Sequence, residues 1–162
     1  EMQGGQSERV AIIAEKLTFS GLETHTSEDI RHEIWKKLLG NISMSAISGL
    51  TNQTSAGVMR IPELKSVCLQ AMEEAFEVAL ASGILLDRDA VLSGMELISQ
   101  PGGTGDNKSS LCVDILNHRP TEVDSIYGGV IQFAEEKGIE TPILKVLHAL
   151  VKGVEDNFQS VI

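Results

Sequence analysis

The sequence predicts an all-α fold, an irregular bundle of about six or seven helices. Three observations predict it. Apolar residues recur at helical spacing along every long segment. Capping residues, prolines and glycines bracket those segments where helices start and stop. No alternating apolar and polar run is long enough for a clear strand. The chain has 162 residues, enough for one domain and short for two.

Residues 8–18 put Val10, Ile13, Ala14 and Leu17 on one face of a first helix, which Gly21 ends. Residues 22–26 read as a short extended connector or an edge strand. Residues 26–29, Thr-Ser-Glu-Asp, have the form of a capping box, so a long second helix starts there and runs to about Gly49. Its expected apolar ridge is Ile30, Ile34, Leu38 and Ile42, with Trp35, Leu39 and Ala46 to one side. Pro62 suits the first turn of a third helix over 62–82, with Leu64, Val67, Cys68, Ala71, Ala75, Val78 and Ala79 inward. Asp87 or Asp89 caps a fourth helix that ends near Ser99. A turn-rich loop over 100–108 follows. Residues 109–117 form a fifth helix and residues 122–137 a sixth, ended by Gly138. Thr141 caps and Pro142 opens the last helix, which runs to about Asn157.

Composition excludes several classes of function. Thirteen basic against 23 acidic side chains leave a net charge of −10. That disfavours nucleic acid, which needs a basic face, and an anionic membrane surface. The longest apolar stretch, residues 75–86, is interrupted by Glu77, so no segment reads as a membrane span. Cys68 and Cys112 sit among apolar neighbours and read as buried reduced thiols. The four histidines are scattered and no metal site is expected. The chain opens on Glu1 without an initiator Met, which reads as a fragment or a trimmed product. No leader is visible, and the expected location is cytoplasmic.

Polarity falls on an unexpected face in two places. At about 100° per residue, Lys37, Asn41 and Ser45 form a row beside the apolar stripe of the second helix, while Lys36 points to the opposite, wet side. Two readings follow. Lys37 snorkels to water and Asn41 bonds a loop carbonyl, or the lysine presents a proton and Asn41 orients a polar substrate. The second place is residues 108–124. Ser109 and Ser110 stand at a helix start that favours an anion, with Asp114 one turn on, and Thr121, Glu122 and Asp124 begin the next helix. Ordinary capping explains the same hydroxyls. Gly102, Gly103 and Gly105 are not a dinucleotide fingerprint, because no strand precedes them and the spacing differs.

Taken together, these stretches resemble a known family. Trp35-Lys-Lys-Leu-Leu-Gly-Asn41, Lys108-Ser-Ser-Leu-x-x-Asp114 and Arg119-x-Thr-Glu-Val-Asp124 resemble the C-terminal domain of ketopantoate reductase, or 2-dehydropantoate 2-reductase. Tyr127-Gly-Gly-Val, Gly138-Ile-Glu-Thr-Pro142, Ser27-Glu-Asp-Ile-Arg and the opening at Gly4 are also similar to it. The resemblance implies a fold like the C-terminal domain of 6-phosphogluconate dehydrogenases, with residues 1–162 as a single substrate and catalytic domain. The Rossmann domain that precedes it in the family, and that holds most of the NADPH, is absent from these residues. The isolated chain is then expected to be inactive.

By the same resemblance Lys37 is the general acid on the ketone oxygen. Asn41 and Ser110 bind substrate, Ser110 through its carboxylate, and Glu122 contacts the cofactor. Asp114 supports the site. Ser45 stands where the family usually has a substrate-binding Asn followed by Pro, and a further substrate asparagine falls near Thr54 or Ser55. The implied activity is NADPH-dependent reduction of ketopantoate to pantoate, in pantothenate and coenzyme A biosynthesis, with a homodimer as the assembly. Two alternatives are a reductase of another 2-keto acid and a helical dimerisation or interaction module without chemistry. Lys37, Ser110 and Glu122 are expected to point toward a common groove.

Overall fold

The computed structural model describes residues 5–159; the family-like opening at Gly4 lies outside them. Among the described residues the chain is all helical, with eight α-helices, one 3₁₀ turn and one π-helical turn. The helices are α1 (Glu8–Phe19), α2 (Ile30–Thr51), α3 (Ser55–Arg60), α4 (Pro62–Ala81), α5 (Arg88–Ile98), α6 (Ser110–Leu116), α7 (Gly129–Lys137) and α8 (Pro142–Gln159). None of them is long and apolar enough to cross a membrane.

Most starts follow local chemistry. Ser7 Oγ accepts from Val10 N at α1, Asp87 Oδ1 from Asp89 N and Ala90 N at α5, and Ser109 Oγ from Cys112 N at α6. Pro62 opens α4 at N1. α2 begins later than the expected capping box. Asp29, not Thr26, caps it, its Oδ1 accepting from Arg31 N and His32 N at 3.1 Å each. Residues 22–26 form no strand: Thr18 Oγ1 accepts from Thr24 N at 3.0 Å and folds the connector back on α1. The sequence reading missed α3, a helix of 6 residues capped by Thr54.

α2 runs through the centre and packs against α3, α4, α5, α6 and α8. Its buried line is Trp35, Leu39, Ile42 and Ala46, not the expected Ile30–Ile34 ridge: Ile34 is 57 % exposed. α1 makes no broad packing contact with another element, which leaves Ile13 as well as Ile30 and Ile34 outside the core. α4 keeps its expected face: Cys68, Ala71, Ala75, Val78 and Ala79 are fully buried. Burial pushes the Cys68 thiol up to about 11, so it stays protonated. Where α6 crosses α2, a Cβ on Gly49 would lie 2.6 Å from Leu111 Cδ2, so any larger residue there requires the Leu111 and Ile115 side chains to move.

Two long-range polar contacts lock the bundle. Glu74 of α4 caps α8, its carboxylate oxygens accepting from Ile143 N and Leu144 N at 2.9 Å each. Thr141 was the expected cap, but its buried hydroxyl has no partner. A carboxylate supplies two acceptors and a negative charge at the positive end of the helix, which one hydroxyl does not. The second contact is Tyr127, at full burial. Its hydroxyl donates to Ile42 O at 2.6 Å and accepts from Ala46 N at 3.1 Å. An uninterrupted helix pairs those two backbone groups with each other.

Tyr127→Phe removes a fully bonded buried hydroxyl. It should destabilise the chain by about 1–3 kcal/mol. The readout is a lower denaturation midpoint with an unchanged slope; wild-type stability would mean that the Tyr127 hydroxyl contributes nothing to the fold.

Candidate functional site

Lys37 and Asn41 stand one turn apart on α2 and line an open groove of about 380 Å³ between α2 and α5. Gly40 lines the same groove, and Val91, Gly94 and Met95 form much of the α5 wall. Both polar side chains are exposed. Lys37 has no ion pair among the described residues. Lys36 was expected on the far side of the helix, yet it lines this groove too.

Ser45, the third member of the row, turns inward. It is 4 % exposed, and its hydroxyl lies 3.3 Å from Tyr127 Oη. Since Tyr127 gives its proton to Ile42 O, Ser45 is the donor there. The phenol therefore makes one donated and two accepted bonds, its full complement. Burial pushes its pKa up to about 12, against the smaller downward pull of Ser45 and Ala46, so the donor proton stays in place.

Ser110 is the exposed first residue of α6 and does not line the α2–α5 groove. Its neighbour Ser109 ties α6 to α2: Ser109 Oγ donates to Ser45 O at 3.2 Å, and Ser109 N to Ser48 Oγ at 3.4 Å. Glu122 is likewise exposed and outside that groove, just before the π-helical turn Asp124–Gly128 that leads into α7. The two segments are thus anchored at one place, the Ile42–Ser48 stretch of α2, one turn beyond Asn41. Asp114 accepts from Arg119 Nη2 at 2.6 Å and Nε at 3.0 Å and closes the end of α6. Thr54 is engaged as the α3 cap, and Ser55 N donates to Asn107 O at 3.2 Å; neither lines the Lys37 groove.

The segment that carries Glu122 is fixed from α8. Glu155 Oε1 accepts from both the N–H and the hydroxyl of Thr121 at 2.7 Å. Lys152 bridges Glu155 and Asp124, and His148 Nε2 lies 2.8 Å from Asp124 Oδ1. Hydrogen bonds from Lys152 and then His148 hold the Asp124 carboxyl below the usual range. Burial raises the Glu155 carboxyl, but Thr121 and Lys152 outweigh it and hold it below the usual glutamate range. The sequence reading missed Tyr127 and Glu155 as site supports. Tyr127 is the only tyrosine in the chain, placed in an otherwise helical stretch, and that was the available signal. Glu155 carried none.

Comparisons with known proteins identify the family of this fold. The family model described as ketopantoate reductase PanE/ApbA C terminal matches residues 29–155. A 2-dehydropantoate 2-reductase of Mesorhizobium japonicum is 31 % identical over 94 % of this chain and 45 % of its own length. The structure of a D-mandelate dehydrogenase with NADH and anilino(oxo)acetate superposes with a TM-score of 0.88 at 28 % identity, over 96 % of this chain and 51 % of that one. A ketopantoate reductase of Staphylococcus aureus, described as dimeric, gives 0.82 at 25 % identity, over 94 % and 53 %. The chain spans about half the length of the curated relatives it matches.

Glu155→Gln tests the anchor. The folded carboxyl titrates below the unfolded one, so its stabilisation is present at neutral pH and fades below about pH 5, as the folded chain takes up the proton. The variant should be less stable than wild type by about 1 kcal/mol at pH 7, and in thermal melts the gap should narrow as the pH falls below the usual glutamate range. A gap that widens in acid would contradict the anchor.

Proposed function

This chain belongs to the ketopantoate reductase C-terminal family, and from that premise we propose that it is the substrate-binding and proton-donating half of an NADPH-dependent 2-dehydropantoate 2-reductase. The observation that carries the reading is Lys37: an unpaired ammonium one turn from Asn41, on a groove with an apolar wall. The matched reductases disfavour a helical module without chemistry.

The proposed reaction reduces ketopantoate to pantoate, in cytoplasmic pantothenate and coenzyme A biosynthesis. NADPH, when bound, supplies hydride to C2 of the keto acid. As negative charge develops on the ketone oxygen, Lys37 Nζ stabilises it and passes a proton to it, leaving an alcohol and a neutral amine that solvent reprotonates. Asn41 orients the substrate by hydrogen bonds. Ser110 offers its exposed hydroxyl to the carboxylate. Ser45, occupied by Tyr127, lends shape and no direct contact.

Most of the cofactor belongs, in this reading, to a Rossmann half outside these residues, and the chain alone is inactive. Glu122 fits the remaining part. It is exposed, and its carboxylate has no hydrogen bond or ion pair among the described residues. A free carboxylate of that kind can accept a hydrogen bond from a hydroxyl arriving from the other half. A homodimer is the assembly proposed, by likeness to the dimeric Staphylococcus aureus enzyme.

In the full two-domain protein, Lys37→Ala should lower kcat by at least about 100-fold. Lys37→Arg should fail as well, because guanidinium does not release its proton at neutral pH. Lys137→Ala, at the exposed end of α7, is the control with unchanged kcat. Steady-state NADPH oxidation is the readout, and full activity in Lys37→Ala would refute the role. Lys36→Ala is not a silent control, since Lys36 shares the groove.

A further inference from the structure

Glu122 is mounted more firmly than its exposure requires. The residue before it, Thr121, gives both its N–H and its hydroxyl to Glu155 Oε1 at 2.7 Å. The residue after it, Val123, is fully buried, and its N–H donates to Thr121 Oγ1 at 3.2 Å. Asp124 comes next: His148 Nε2 lies 2.8 Å from its Oδ1, and Lys152 Nζ donates to its Oδ2 at 2.8 Å. Both flanks of Glu122 are therefore fixed, while its own carboxylate bonds nothing among the described residues.

The groups that fix these flanks form a row on α8. His148, Lys152 and Glu155 stand at i, i+4 and i+7 and share one face. The contacts of Asp124 with this row are open to water: its side chain is 67 % exposed and that of Lys152 44 %. Ion pairs of that kind add little to stability, because solvent screens them and long side chains must be ordered to make them. The fold is held elsewhere, by Tyr127 on α2 and Glu74 on the start of α8. What the exposed clamp does is restrict the segment. Lys152 first, and His148 after it, keep the Asp124 carboxyl ionised by holding it below the usual range. An ionised carboxylate only accepts, so His148 Nε2 is the donor in its bond.

Resting on the cofactor role proposed above for Glu122, we propose that Asp124 is a positioning residue, through which His148 and Lys152 hold the Glu122 carboxylate ready for the cofactor. The segment is then ordered before NADPH arrives, and binding does not have to order it. His148 acts through Asp124, and Lys152 through both Asp124 and Glu155.

The test is NADPH affinity in the full two-domain protein, by fluorescence titration without keto acid, alongside kcat for ketopantoate and a melting curve. Asp124→Ala should raise the NADPH Kd by at least about 5-fold and leave kcat within about 2-fold. The sign is diagnostic, since the substitution removes a negative charge, which by charge alone favours an anionic cofactor. Asp124→Asn has the same net charge as Asp124→Ala but keeps an amide oxygen that accepts, so it should bind NADPH more tightly than the alanine variant. His148→Ala should raise Kd by a smaller factor, and it carries the test if Asp124→Ala does not fold. Lys145→Ala, whose ion pair is with Glu135 of α7, is the control with unchanged Kd. Unchanged or tighter binding in folded Asp124→Ala, or equal Kd for the alanine and asparagine variants, would overturn the positioning. Glu122→Ala separates this from the reading beneath it, and should weaken NADPH by at least about 10-fold. If it does and Asp124→Ala does not, the positioning alone fails. If Glu122→Ala binds NADPH as wild type does, the cofactor role of Glu122 fails and the positioning with it.

Discussion

The hydroxyl of Tyr127 is the contact on which the arrangement of the site depends. It reaches α2 from the π-helical turn, donates to Ile42 O, accepts from Ala46 N, and also engages Ser45. A π turn is rare and shifts the side chains beyond it around the helix. Tyr127 lies within this turn, and its phenol meets one turn of α2, where it is completely buried and fully bonded. A buried hydroxyl without partners would cost more than it contributes; with three, it ties Glu122's segment to the turn that follows Asn41. Ser109 makes the second tie at the same stretch, and so brings Ser110 there. Where the family pattern has a proline after an asparagine, Ala46 keeps its N–H and Tyr127 accepts it.

Stability and chemistry are separated in this chain. Lys37, Asn41, Ser110 and Glu122 are exposed and support little of the fold. The contacts that hold the elements in place are buried or half-buried: Tyr127 on α2, Glu74 on the start of α8, and Glu155 on Thr121. Each joins residues distant in sequence and each bonds backbone groups of another element. The exposed candidate groups can therefore change without unfolding the domain, while the holding groups fix their position.

Much of the fold was legible because its signals are local. Pro62, Asp87, Ser109 and Gly138 stop or start helices through their own side chains or backbone freedom, and their elements begin and end close to where they were expected. What depends on partners was not legible. α2 carries two adjacent apolar rows, and only packing against α4, α6 and α8 decides that Trp35 and Leu39 are buried while Ile34 is not. Thr141 looked like a cap because the rival acceptor, Glu74, is far away in sequence. For the candidate site, the row of Lys37, Asn41 and Ser45 was visible at helical spacing, but the inward turn of Ser45 needed Tyr127, and the place of Lys36 on the groove needed α5.

The central claim is that Lys37 faces the reacting carbonyl of a 2-keto acid held on α2. The most direct measurement is a crystal structure of the full two-domain protein with NADPH and a non-reactive analogue of ketopantoate. The account predicts the carbonyl oxygen of the analogue about 3 Å from Lys37 Nζ. An analogue bound on another face, with Lys37 extended into solvent, would contradict it.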